Sequence, residues 1–196
     1  MRKMIFNAQT TLNNRIANPA GEFWEPFPWG DTEQAFTNGI YAETDTWVLT
    51  RKMFEVIVPW WTTVAAGEIP DDVPAVSAVD LEFARLLAAS ERIAISNTMT
   101  PTKEQRVFSG DIAAQLQQLK EEPGRDIILG AGPTTIGPLL AVPGLIDELL
   151  LVIHPAAIPE GPRLFDDATL ALRLIEATPF AAGAIVVRYE VLRATE

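Results

Sequence analysis

Arg51 and Lys52 stand side by side in a chain where 26 acidic residues outnumber 15 basic ones. A guanidinium fork beside an ammonium, in an otherwise anionic surface, suits an oxyanion such as phosphate. Further along, Ile127, Ile128 and Leu129 form an apolar run that stops at Gly130-Ala131-Gly132-Pro133, with Thr134 and Thr135 next. A glycine turn that opens a helix presents unpaired N–H groups and the positive end of a dipole, again suited to an anion. Between these two places lies Ile95-Ser96-Asn97-Thr98, another apolar run ending in hydroxyls and an amide. Each motif also has a bland reading. Arg51-Lys52 alone is a solvated helix start, and the glycine turn alone is a plain strand-to-helix connection.

Other chemistry is easier to exclude. The chain has no cysteine and a single histidine, His154, so neither a thiolate nucleophile nor a Cys/His metal site is available, and no metal is expected. His154 ends an apolar run before Pro155 and fits a structural place or the rim of a pocket. A serine hydrolase would need a G-x-S-x-G elbow, and none is present. The dinucleotide fingerprint is incomplete, because Thr135 stands where its third glycine belongs. With a formal net charge of −11 and no basic stripe, nucleic acid is not an expected partner. No apolar run is long enough to span a bilayer and the N-terminus lacks a signal-peptide pattern, so a cytoplasmic location is expected.

The aromatic residues cluster too. GEFWEPFPWGD carries Trp24 and Trp29 among prolines that forbid a regular helix, and Pro59-Trp60-Trp61 forms a second group. These tryptophans either fill the core or stack on a flat ligand; Asp31 and Glu33 lie beside the first group.

The elements that must position these residues read as alternating strands and helices in one domain. Strands are expected over about 3–9, 46–50, 92–95, 127–129 and 148–153. A helix over about 33–41 follows a cap at Asp31 or Thr32, with Ala35, Phe36 and Ile40 on its inner side. Another runs from Arg51 to near Pro59-Trp60-Trp61. Asp80 caps a third, with Leu81, Ala84, Leu87 and Ala88 on one face. Ser109 and Asp111 open a fourth, where Ile112, Leu116 and Leu119 recur at helical spacing. Thr134 and Thr135 are expected to cap a fifth over 136–141. Two strands, about 170–178 and 184–192, close the chain, the last alternating Ile185, Val187, Tyr189 and Val191 with polar residues. This order implies an α/β fold with a mostly parallel sheet and an antiparallel edge.

Leu49-Thr50-Arg51-Lys52-Met53-Phe54-Glu55, Ile95-Ser96-Asn97-Thr98 and Leu129-Gly130-Ala131-Gly132-Pro133-Thr134 stand in that order, with TTLNNRIA before them and GPRLFD after. Together they resemble the dihydrofolate-reductase-like family of RibD C-terminal domains, over nearly the whole chain. The resemblance implies a three-layer α/β/α domain of mixed, mostly parallel sheet that binds NADPH across its strand ends. It implies that Arg51, with Lys52 and Thr50 beside it, meets the 2′-phosphate of the adenine ribose. Ser96 and Asn97 would lie near that phosphate, and Gly130, Ala131, Gly132, Pro133 and Thr134 would form the pyrophosphate loop. It further implies a reductase of a flat heterocycle, similar to the 5-amino-6-(5-phosphoribosylamino)uracil reductase of riboflavin biosynthesis or to dihydrofolate reductase, and a homodimer. Asn13, Trp24, Trp29, Trp60 and Trp61 are the substrate-binding candidates, and no catalytic residue is assigned. The family usually carries Gly at Thr50, Thr at Met53 and Ser-Leu-Asp-Gly where this chain has Thr11-Leu12-Asn13-Asn14. A nucleotide-binding module without turnover and a structural homodimer are the competing functions.

Overall fold

A computed structural model describes residues 1–22, 27, 29–71, 73–165 and 169–192. In chain order the elements are β1 (Met4–Thr11), α1 (Asp31–Tyr41), β2 (Thr44–Thr50), α2 (Arg51–Ala65), α3 (Ala78–Ala89), β3 (Glu91–Ile95), β4 (Val107–Phe108), α4 (Ile112–Glu121), β5 (Asp126–Gly130), α5 (Pro133–Leu140), β6 (Glu148–His154), β7 (Leu172–Pro179) and β8 (Ile185–Val191). They divide between two compact units, one of residues 1–2 and 29–130, the other of residues 3–28 and 131–196. The class is the expected mixed α/β fold, with antiparallel strands confined to the C-terminal part. No described helix is long and apolar enough to cross a membrane.

In the first unit the strands run in the order β4-β3-β2-β5, every pair parallel. Parallel strands covered on both faces read as unbroken apolar runs. Val48, Leu49, Ile93, Ala94, Ile127, Ile128 and Leu129 are accordingly shut away from water. On α4, Asp111 caps the first turn by accepting the Ala114 amide, and Leu116 and Leu119 are buried as their spacing requires.

Two helices depart from expectation. The inner side of α1 is not Ala35, Phe36 and Ile40 but Glu33, Gln34, Thr37, Asn38 and Tyr41. A chain of hydrogen bonds explains the reversal. Trp29 Nε1 donates to Gln34 Oε1 at 2.7 Å, and Gln34 Nε2 donates to Asn38 Oδ1 at 2.7 Å. Asn38 Nδ2 then donates to the Val79 carbonyl at 2.9 Å and to Glu82 Oε2 at 3.0 Å on α3. Buried polar groups so connected lose little by leaving water, and an apolar-periodicity rule cannot see them. The second departure is α2, which continues through Pro59 to Ala65 instead of stopping at Pro59-Trp60-Trp61. Trp61 meets Phe83 of α3 edge-on at 4.6 Å, and Phe83 in turn touches Trp47 and Tyr41. That aromatic packing holds the helix beyond its proline. On α3 itself, Ser77 rather than Asp80 is the cap, accepting the Asp80 amide, and Phe83 takes a buried place expected for Leu81.

In the second unit β1 pairs parallel with β6 from Ile5↔Glu148 to Thr11↔His154. β8 lies antiparallel to β6, and β7 lies antiparallel to β8 at the outer edge. The expected alternation of β8 is weak, with Val186 and Val187 both buried and Ile185 exposed. At the start of β6, Glu148 is buried and receives Lys3 Nζ at 2.7 Å and Arg188 Nη2 at 2.6 Å. Burial alone would raise its pKa. The hydrogen bonds and charges of Lys3 and Arg188 outweigh it and hold the carboxyl below its ordinary 4.5.

Since Glu148 binds its proton less readily folded than unfolded, its stabilisation is complete above pH 4.5 and is lost as pH falls through the lower folded value. Glu148→Gln should cost about 2 kcal/mol at pH 7, because it leaves two cations facing a neutral amide. For a chain of this size that is roughly 4–8 °C in Tm. Thermal unfolding at pH 7 and pH 3 checks it: the gap between wild type and variant should narrow at the lower pH.

Candidate functional site

The register of the first unit's strands decides which residues meet. Thr50 of β2 lies opposite Ile95 of β3, and Leu49 of β2 lies opposite Gly130 of β5. Three C-terminal strand ends therefore finish within a residue of one another, and Arg51, Ser96 and Gly130 stand at the same sheet margin.

Arg51 is the first residue of α2, with half of its side chain exposed. Its Nε donates to Glu55 Oε1 at 2.7 Å, one helical turn on, and its Nη1 donates to Thr98 Oγ1 at 2.6 Å across from β3. Thr98 is itself fixed by Ser96. The buried Ser96 hydroxyl oxygen accepts the amides of Thr98 at 3.1 Å and Met99 at 3.0 Å. Asn97 Oδ1 accepts the Gly110 amide at 3.2 Å, pinning the loop to the start of the next helix. Ser96 and Asn97 thus shape the loop that holds Arg51. Thr50 precedes α2 in extended geometry, with φ −60° and ψ 152°, and its hydroxyl makes no cap bond. A threonine adopts that conformation freely. Lys52 lies exposed on the first turn.

The two glycines of the turn differ in kind. A Cβ on Gly130 would sit 2.7 Å from Leu49 Cδ2 and 3.1 Å from Met53 Cε, so any larger residue must push these side-chain ends aside. Met53 fills the space above it. In the second unit, Gly132 is the N-cap of α5 at φ −77° and ψ 171°, a conformation open to any residue, and a Cβ there would meet nothing within 4 Å. With Pro133 in the first turn, α5 begins at Gly132, earlier than a cap at Thr134 or Thr135 would have placed it, and no side chain caps it. Ala131 is buried and Thr134 is exposed. A cleft of about 490 Å³ runs along α5, lined by Pro133, Thr134, Gly137, Leu140, Leu164 and Phe165.

The substrate candidates are placed differently. Trp60 and Trp61 lie nine and ten residues beyond Arg51 on α2, about 15 Å along the helix at 1.5 Å per residue. They meet at 4.5 Å, Trp61 packs on Phe83 of α3, and both are half-buried. Trp29 is bound to Gln34 through its indole nitrogen. Asn13 is engaged locally: Nδ2 donates to the Ile158 carbonyl at 2.8 Å, while Oδ1 accepts the Thr11 hydroxyl at 2.7 Å and the Ile158 amide at 3.3 Å. Trp24 lies outside the described residues. His154 is fully buried, stacked on Phe27 at 4.7 Å with Nε2 2.8 Å from Gln9 Oε1, a structural place and not a rim. Sequence reasoning passes over Glu55 and Thr98 as site residues. The i, i+4 spacing of Arg51 and Glu55 is a signal that could find the first; Thr98 depends on strand register.

Comparison with known proteins identifies the family and the fold. The RibD C-terminal domain family matches residues 2–186. The uncharacterized protein YyaP of Bacillus subtilis (strain 168) is 28% identical over 193 residues, covering 96% of this chain and 94% of that protein. Among solved structures, Acinetobacter baumannii RibD has a TM-score of 0.69 at 16% identity, over 98% of this chain and 58% of RibD. A pyrimidine reductase-like protein of Corynebacterium diphtheriae has a TM-score of 0.65 at 16% identity, over 98% of this chain and 92% of that one. Enterococcus faecalis dihydrofolate reductase, solved with NADP(H), has a TM-score of 0.61 at 13% identity, over 96% of both chains. At these identities the structures establish the dihydrofolate-reductase-like fold.

The contrast between the glycines is measurable without any ligand. Gly130→Ala should lose about 1–3 kcal/mol through overpacking against Leu49 and Met53. Gly132→Ser, with open space and a favoured capping residue, should hold or slightly raise the Tm. Differential scanning calorimetry of the two variants separates them.

Proposed function

Because the chain belongs to the RibD C-terminal domain family, a family of reductase-type fold, we propose that it is an NADPH-dependent oxidoreductase acting on a flat heterocycle. One observation carries the reading: Arg51 is held at the ends of β2 and β3 by Glu55 and Thr98, which leave guanidinium donors over. A planar cation with donors to spare fits a phosphate monoester better than a neutral ribose hydroxyl.

The residues present fit the cofactor. Arg51, with Lys52 and Thr50 beside it, would hold the 2′-phosphate, on a loop framework kept by Ser96 and Asn97. The turn from Gly130 through Ala131, Gly132, Pro133 and Thr134 would take the pyrophosphate. The uncapped start of α5 suits an anion of that kind. Glycine is required at position 132 by neither backbone conformation nor packing, so the missing side chain leaves the start of α5 open to whatever approaches it. When bound, NADPH supplies the hydride. The chain's own contribution is binding and orientation. A ribosylaminouracil or pterin-like heterocycle is the substrate class, by analogy with the reductases that share the fold.

We also propose a homodimer built on the outer strand. β7 is exposed almost throughout, and Leu172, Leu174, Ile175, Ile185 and Leu192 of this C-terminal region all stand in solvent. An outer edge with that much apolar surface is a ready partner for a second copy of itself.

Isothermal titration should show NADPH binding at least about tenfold more tightly than NADH, the scale of a charge-assisted hydrogen bond pair. Arg51→Glu should erase the preference; equal affinities in the wild type would remove the role given to Arg51. Light scattering should find a dimer that Leu174→Glu with Ile175→Lys converts to monomer, with NADPH affinity unchanged.

A further inference from the structure

We infer that Glu55 and Thr98 set how strongly the Arg51 site discriminates between phosphorylated and unphosphorylated nucleotides, Glu55 as a built-in competitor for the guanidinium and Thr98 as the residue that positions it. The inference rests on the cofactor reading above.

An arginine has five N–H donors and two edges that can take an oxyanion with paired bonds, one through Nε and Nη2, the other through Nη1 and Nη2. Glu55 Oε1, at 2.7 Å from Nε, occupies part of the first edge. Thr98 Oγ1, at 2.6 Å from Nη1, takes one donor of the second. A phosphate must therefore displace Glu55 or share the remaining donors with a carboxylate beside it. The pair is easily displaced: both side chains are half exposed, and ion pairs of this i, i+4 kind are weak. A phosphate dianion can win that contest; a ribose hydroxyl cannot. A hydroxyl can instead donate to the carboxylate, so Glu55 disfavours the phosphorylated nucleotide and tolerates the unphosphorylated one.

Thr98 works in the other direction. Its position is fixed by the two amide bonds to the buried Ser96, and its hydroxyl ties the guanidinium to the neighbouring strand end. A side chain of many rotamers is thereby held in one place, and less freedom is lost when phosphate binds. Loss of that hydroxyl should weaken the grip on a phosphate and leave an unphosphorylated nucleotide nearly untouched.

The experiment is a calorimetric titration of NADPH and of NADH into wild type, Glu55→Gln, Thr98→Val, Thr98→Ser and Arg51→Gln, with Tm measured for each. Glu55→Gln should raise the NADPH-to-NADH affinity ratio about three- to tenfold, the scale of removing one charge near a dianion in water. Thr98→Val should lower the ratio by a similar factor, and Thr98→Ser should restore it. A ratio unchanged or lowered in Glu55→Gln, or unmoved in Thr98→Val, overturns the inference while Arg51→Gln still abolishes the preference. A wild type without any preference, unchanged in Arg51→Gln, overturns the cofactor reading and the inference with it.

Discussion

Parallel strands cannot be joined by a tight turn; each must be followed by a crossover, so their C-terminal ends open onto the same margin of the sheet. In this chain that constraint brings Thr50, Ile95 and Gly130 within a residue of one another. Everything assigned to the site follows from it. Arg51 reaches Thr98 only because β2 and β3 end together, and Gly130 lies against Leu49 and Met53 only because β5 flanks the other side of β2. A slip of one residue in either pairing would turn alternate side chains to the opposite face and separate these groups.

The site's polar residues divide into those that face outward and those that build the loops. Ser96 and Asn97 carry side chains suited to a ligand, yet both accept hydrogen bonds from loop backbone amides. That is the general fate of small polar residues at strand ends, where amides left over from the ladder need partners. Arg51 is different because its partners leave donors over. The interior of α1 shows the same behaviour carried into the core: Gln34 and Asn38 pass a hydrogen-bond chain from Trp29 to α3, and the helix packs by saturation of polar groups rather than by an apolar stripe.

How far the sequence could be read follows from which forces are local. The apolar runs at 127–129 and 148–153 are legible as strands because short unbroken apolar runs suit a strand covered on both faces, and α4 is legible from Leu116, Leu119 and its Asp111 cap. Partnerships across the chain were not legible. No local pattern tells that Trp61 packs on Phe83, that Gln34 rather than Phe36 faces inward, or that Pro59 sits inside a continuing helix, because each is decided by a neighbour distant in sequence.

The two glycines of the turn show how to separate what the fold needs from what a ligand needs. At Gly130 a methyl group would press on the ends of the Leu49 and Met53 side chains, so packing supplies a reason for glycine there. At Gly132 neither space nor φ calls for glycine, and the position is one where Ser, Thr or Asp would cap the helix to advantage. Leaving it bare forgoes stability that a single substitution could supply. Space and backbone conformation therefore leave Gly132 unexplained, and an anion at the start of α5 is the reading proposed for it.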